Sequence, residues 1–226
     1  MMAGRRGLAV VKLGGSHAFS PHLTDWLAAL ARCAGRVVVV PGGKPFSDTV
    51  RAAQPRIGFD DRAAHHMALL AMTQFGCALA SLHPGYVLAD SLTAIRRALR
   101  NRQVPVWSPV RMALRATDVA ASWEVTSDSL AAWLAGRLGA ARLLLVKHVA
   151  PPRRAVGAED LVAQGIVDPA FPAMMGSACF LAGAADHAAA AEAILAGLPA
   201  GARIIPHRRL GGHAGATLLV GDRASK

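Results

Sequence analysis

Hydrophobic positions along the chain gather into short continuous runs that alternate with stretches of helical spacing. Leu8 to Leu13 is an apolar run containing valines and stops at two glycines, so it predicts a buried strand. Ser20-Pro21 then opens a helical pattern. Serine suits a cap, proline suits a first turn, and Leu23, Trp26, Leu27, Leu30 and Ala31 recur at helical spacing. Gly35 is expected to end that helix. Arg36 to Val40 predicts a second buried strand, stopped by Pro41-Gly42-Gly43. A helix is expected through Asp48 to Ala53, then a long one from Asp60-Asp61 to about Leu82, with Met67, Leu70, Ala71 and Phe75 along one side. His83-Pro84-Gly85 marks a turn.

The pattern continues with a helix over Ser91 to Arg100, a strand over Val104 to Trp107, and a helix over Thr126 to Leu138, for which Thr126, Ser127 or Asp128 is the cap. Leu143 to Val146 predicts a strand, Ala184 to Leu198 an alanine-rich helix, and Ala202 to Ile205 and Thr217 to Val220 two closing strands before a loose tail, Arg223 to Lys226. Alternating strands and helices imply an α/β fold, a mostly parallel sheet covered on both faces. No repeat or linker divides the chain, so residues 1–226 are expected to form a single domain. Ligands on such a sheet sit beyond the carboxyl ends of the strands.

Composition narrows the function classes. Hydrophobic residues make up 53% and charged residues 17%, which excludes a disordered chain. No apolar run approaches the roughly 18 residues of a membrane span. The first run leads straight into Lys12-Leu13-Gly14-Gly15-Ser16 rather than a cleavage site, so a cytoplasmic protein without membrane attachment is expected. Cys33, Cys77 and Cys179 are scattered and read as free thiols. The net charge of +11 comes from dispersed arginines without interleaved aromatic residues, which argues against nucleic acid and for a small phosphorylated metabolite as partner. The nine histidines show no ligand spacing, and His65 and His66 point about 100° apart on a helix, so no metal site is expected.

Three segments carry candidate chemistry. Val11-Lys12-Leu13-Gly14-Gly15-Ser16 places a lysine inside a buried run, where a charge needs a partner, and follows it with glycines whose amides can meet phosphate oxygens. Val40-Pro41-Gly42-Gly43-Lys44 repeats this strand, glycine and lysine arrangement at the same sheet edge. Neither loop has the order of a Walker A or dinucleotide-binding motif. Val125-Thr126-Ser127-Asp128-Ser129 sets hydroxyls and a carboxylate at a helix start, either as a cap or as a partner for Lys12.

Together, and in this order, the three segments resemble the amino-acid-kinase superfamily. The resemblance implies a three-layer α/β/α sandwich, a homo-oligomer, ATP with Mg2+ held mainly through the nucleotide phosphates, and an acceptor site over the N-terminal half with the nucleotide over the C-terminal half. It implies that Lys12 stabilises the transferring phosphoryl group, that Asp128 orients the lysines, and that Gly14, Gly15, Gly42 and Gly43 bind through their amides beside Ser16, Lys44, Thr126 and Ser127. One departure stands out. The usual Thr-Asp-Val-Asp-Gly type loop is replaced by Lys147-His148-Val149-Ala150-Pro151, so the second active cation falls to Lys147 or to an arginine such as Arg153.

A narrower resemblance covers Val40 to Arg51 and Asp61 to Leu69. Those residues are similar to the branch that phosphorylates aminomethyl-furan-methyl phosphate in methanofuran biosynthesis. It implies that Phe46 stacks on a furan, Arg51 pairs with a phosphate, and Asp48 or Asp61 meets an ammonium. Of the adjacent pair His65 and His66, one is expected to face the acceptor cleft, with His66 the candidate. The alternatives are a uridylate-like kinase and a non-catalytic binding or storage protein on the same fold.

Overall fold

The computed structural model describes residues 7–152 and 154–206. The expected strand Thr217 to Val220, the tail Arg223 to Lys226 and Arg153 lie outside the described residues. The strands are β1 (Ala9–Leu13), β2 (Val37–Pro41), β3 (Tyr86–Ala89), β4 (Val104–Trp107), β5 (Arg142–Val146), β6 (Val156–Gly157), β7 (Ala178–Ala182) and β8 (Ala202–Ile205). The helices are α1 (Leu23–Ala31), α2 (Phe46–Ile57), α3 (Asp61–Ser81), α4 (Leu92–Arg100), α5 (Val110–Ala113), α6 (Ser127–Leu138), α7 (Ala158–Ala163), α8 (Phe171–Met174) and α9 (His187–Ala196). A 3-10 turn over Gly15–Phe19 links β1 to α1.

The strands form one sheet in the order β3-β4-β2-β1-β5-β7-β8-β6. Pairing is parallel from β3 through β7, and β8 runs antiparallel to β7 with β6 parallel to β8. All five residues of β1, β2 and β5 are buried, because these central strands are covered on both faces. Alternate side chains therefore feed two separate cores. Val10, Val38, Leu143 and Leu145 pack with Leu130, Leu134 and Leu138 of α6. On the opposite face, Val11, Val37 and Val39 pack with Trp26 and Leu30 of α1 and Ile194 of α9. The result is the expected α/β/α sandwich with a mostly parallel sheet. No described helix is long and apolar enough to cross a membrane.

Several boundaries differ from the sequence pattern. The first helix begins at Leu23, after Ser20 accepts a hydrogen bond from the His22 amide, and ends at Ala31 rather than Gly35. Strands β3, β6 and β7 are additional to the pattern. Along α3 the buried residues are Ala64, His65, Leu69, Ala71, Met72, Phe75, Gly76 and Leu79, so Ala71 and Phe75 face the core as expected, whereas Met67 and Leu70 are about 40% exposed (39% and 44%). Methionine and leucine at those two positions shifted the inferred apolar face by part of a turn.

Candidate active site

The alternation of a strand positions the central charges. Val10 and Lys12 point to the α6 side of β1, and Leu143, Leu145 and Lys147 continue the same phase along and beyond β5. The two strands are adjacent, with Lys12 paired in register with Leu145. Both lysines therefore emerge from one face at the carboxyl edge of the sheet. Helix α6 packs across that face and places Asp128 in its first turn. Lys12 Nζ lies 2.7 Å from Asp128 Oδ1, and Lys147 Nζ donates to Asp128 Oδ2 at 2.7 Å.

This triad is buried, with Lys12 at 5% and Asp128 at 4% exposure. Burial pushes the Asp128 carboxyl up, but the ammonium groups of Lys12 and Lys147 together outweigh it and hold the carboxyl below its ordinary value. Burial, reinforced by the like charge of Lys12, pushes Lys147 down from 10.5 to about 8 against the pull of Asp128. Two ammonium groups on one carboxylate leave a net positive charge at the base of the site, which an anionic ligand can neutralise.

The two glycine loops interlock. Gly42 donates its amide to the Leu13 carbonyl at 2.9 Å. A Cβ on Gly15 would stand 2.1 Å from the Lys44 carbonyl oxygen, and one on Gly42 would stand 2.1 Å from the Gly15 amide nitrogen. Neither position admits a side chain, because main chain meets main chain there. Behind the first loop His17 is fully buried and stacks on His148, ring centroids 4.0 Å apart, and His148 Nε2 lies 3.1 Å from the Ser16 carbonyl oxygen. Burial, with the nearby His148 adding to it, lowers His17 to about 4, so it packs as a neutral ring.

The amino terminus of α6 is held by a residue the sequence pattern did not single out. Asp168 Oδ2 accepts from the Thr126 amide at 3.0 Å, the Thr126 hydroxyl at 2.7 Å and the Ser129 amide at 3.1 Å, while the Ser129 hydroxyl donates to Oδ1. Asp168 thus supplies the cap from a distant loop. Asp128 is released from that role and is free to pair with the lysines.

A cavity of about 560 Å³ opens above these groups. Of the residues singled out in the sequence, Lys12, Gly14, Gly15, Ser16, Gly43, Lys44, Asp48, Arg51, Thr126, Ser127, Asp128 and Lys147 line it. Four others do not. Gly42 packs against the first loop. Phe46 is 41% exposed away from the lining. The Asp61 carboxylate accepts from Gln54 Nε2 at 2.8 Å. His66 is exposed, and the lining residue of that pair is His65, buried, with its Nε2 unpartnered. The helical spacing of His65 with Leu69 and Met72 was the signal that distinguishes them. Trp123 also lines the cavity. The Arg51 guanidinium lies 4.1 Å from its ring centroid, and its Nε1 donates to Gln54 Oε1 at 2.6 Å. The far wall includes His148, Val149 and Gln164 to Asp168.

The fold and site define a mostly parallel α/β sandwich with glycine loops and buried lysines at the carboxyl edge of its sheet. Residues 7–151 match the family described as "Amino acid kinase family", and the chain belongs to that family. It is similar to the [5-(aminomethyl)furan-3-yl]methyl phosphate kinase of Methanocaldococcus jannaschii, with 28% identity over 146 residues, or 62% of this chain and 65% of that one. The match thus spans just under two thirds of that relative's length. Among solved structures, the uridylate kinase of Archaeoglobus fulgidus superposes with a TM-score of 0.63 at 16% identity, covering 88% of this chain and 100% of that one. The UMP kinase of Ureaplasma parvum gives 0.63 at 15% identity, covering 88% and 99%. These two likenesses establish the fold.

Proposed function

We propose that the protein transfers the γ-phosphoryl group of ATP to the phosphate of a small phosphomonoester. The observation that carries this reading is Asp128 bridging Lys12 and Lys147 beneath two interlocked glycine loops. In the reaction, an oxygen of the acceptor phosphate forms a bond to the γ-phosphorus. The bond from that phosphorus to the bridging oxygen breaks, and ADP leaves with the electron pair. An anionic acceptor oxygen has no proton to lose, so a general base is unnecessary. Lys12 and Lys147 stabilise the charge of the transferring group, and Asp128 fixes their ammonium positions. The donor set suits polyphosphate rather than a bare cation: Asp128 is engaged by two lysines and Asp168 by the α6 terminus. Mg2+ would accordingly be held through the nucleotide phosphates and would neutralise their charge.

For the acceptor, the reading is aminomethyl-furan-methyl phosphate, supported by the similarity to the Methanocaldococcus jannaschii enzyme. Arg51 offers the phosphate a guanidinium and Asp48 offers the ammonium a carboxylate, both on the cavity wall. The flat surface beside them is Trp123, in place of the more exposed Phe46. An acceptor panel tests this reading. The furan phosphate is expected to show a far higher kcat/KM than UMP. Removing its amine should cost about 1–3 kcal/mol of transition-state stabilisation, the scale of one charged hydrogen bond. A better rate with UMP, or equal rates with and without the amine, refutes the acceptor assignment and leaves the phosphoryl transfer standing.

A further inference from the structure

Three potential metal ligands meet on the face of the sheet opposite the lysine triad. His22 and Asp25 stand three residues apart at the start of α1 and share one side of that helix. His187 is the first residue of α9. His22 Nδ1 lies 3.8 Å from Asp25 Oδ2, and His187 Nε2 lies 3.7 Å from the same oxygen. All three ligand atoms lie within 4.8 Å of one another. With metal–ligand bonds of about 2.0–2.1 Å, tetrahedral geometry puts neighbouring ligand atoms about 3.4 Å apart. An ion would draw the Asp25 oxygen a few tenths of an ångström toward each imidazole, and the two imidazole nitrogens, within 4.8 Å of each other, to the same spacing.

The scaffold under this cluster is fixed. Trp26 is fully buried and donates from Nε1 to the Ala184 carbonyl at 2.8 Å, which ties α1 to the turn leading into α9. The Trp26 ring also meets His187 edge-on, centroids 6.3 Å apart at 78°. Farther along the same helix pair, Arg32 bonds Glu192. The His187 side chain is 27% exposed and that of Asp25 52%, so one ligand is held against the protein while the carboxylate faces incoming solvent.

We infer that His22, Asp25 and His187 form a binding site for a divalent transition-metal ion of the Zn2+ type, with water completing the coordination. Two imidazoles and one carboxylate suit zinc and its neighbours. Mg2+ takes oxygen ligands and is not the occupant. The ion would tie the segment that follows the Gly14–Ser16 loop to the helix that follows β7. The site stands independently of the phosphoryl-transfer reading.

Zn2+ binding by the untagged full chain, measured in excess Mg2+ by competition with a chromophoric chelator, tests the inference. One equivalent is expected, with affinity falling at least about 10-fold in His22→Ala, Asp25→Asn and His187→Ala, and unchanged in His83→Ala. Zn2+ should also raise the Tm of the wild type and not that of His187→Ala. These side chains are partly exposed, so the metal-free variants should keep the wild-type circular dichroism. Absence of stoichiometric binding overturns the inference, as does wild-type affinity in both His22→Ala and His187→Ala.

Discussion

Raising the pH through the value at which Lys147 loses its proton should switch off the reaction while leaving the fold intact. Burial and the neighbouring Lys12 ammonium bring Lys147 down to about 8. A group with that value is about 91% charged at pH 7 and about 9% charged at pH 9, about a tenfold difference, whereas an unperturbed lysine stays almost fully charged at both. If the charged form is required, kcat/KM should fall about tenfold between pH 7 and 9. Bound phosphates favour the ammonium, so the fall in kcat should lie at higher pH than the fall in kcat/KM. The stability effect has the opposite sign. Between about pH 8 and 10.4 the unfolded chain binds a proton at Lys147 that the folded chain does not, so folding gains stability as pH rises there. Wild type should therefore gain on Lys147→Met across that window, by an amount on the order of 2–3 kcal/mol. Steady-state kinetics at each pH and paired urea titrations measure both. A kcat/KM flat from pH 7 to 10, or a stability difference that is constant over pH 8–10, refutes this account of Lys147.

Two further expectations concern the supports of the site. Asp168→Ala leaves the Thr126 and Ser129 amides and hydroxyls without their carboxylate, and should lower stability by about 2–4 kcal/mol in urea unfolding while reducing kcat through a displaced Asp128; unchanged stability contradicts the capping role. Gly42→Ala drives a methyl into the Gly15 main chain and should cost about 3 kcal/mol or more. By contrast Gly136→Ala, in open space within α6, should stabilise by about 0.5–1 kcal/mol, and equal Tm shifts for the two contradict the interlocked loops.

Much of this architecture is legible in the sequence because the central strands are unbroken apolar runs bounded by glycine. The run containing Lys12 announces its own site, since a lone lysine in a buried strand needs a counter-charge, and Asp128 at a hydroxyl-rich helix start supplies it. Lys147 is legible as the lysine left in the altered loop. Strands β3, β6 and β7 are not, because Tyr86 to Ala89 is only four residues long and half-exposed at its centre, Val156–Gly157 is only two residues, and Ala178 to Ala182 begins and ends in alanine, which favours no strand. Asp168 escapes for a different reason. Its partners lie about 40 residues earlier in the chain, and no local pattern marks an aspartate that caps another element's helix. His65 and His66 are adjacent and chemically identical, and only the packing of α3 puts His65 rather than His66 on the cavity wall. The cluster of His22, Asp25 and His187 likewise depends on α1 and α9 meeting in three dimensions.

Labelled ATP tests most directly whether the Lys12–Asp128–Lys147 triad drives phosphoryl transfer to an acceptor phosphate. Purified wild-type protein incubated with γ-labelled ATP and the aminomethyl-furan phosphate should move label into a new diphosphate, followed by 31P NMR and by product counting. Lys12→Ala, folded by circular dichroism, should lower that turnover by about 100-fold or more. Wild-type protein that transfers no label to this acceptor, to UMP or to any other phosphomonoester, or a folded Lys12→Ala variant with wild-type turnover, would contradict it.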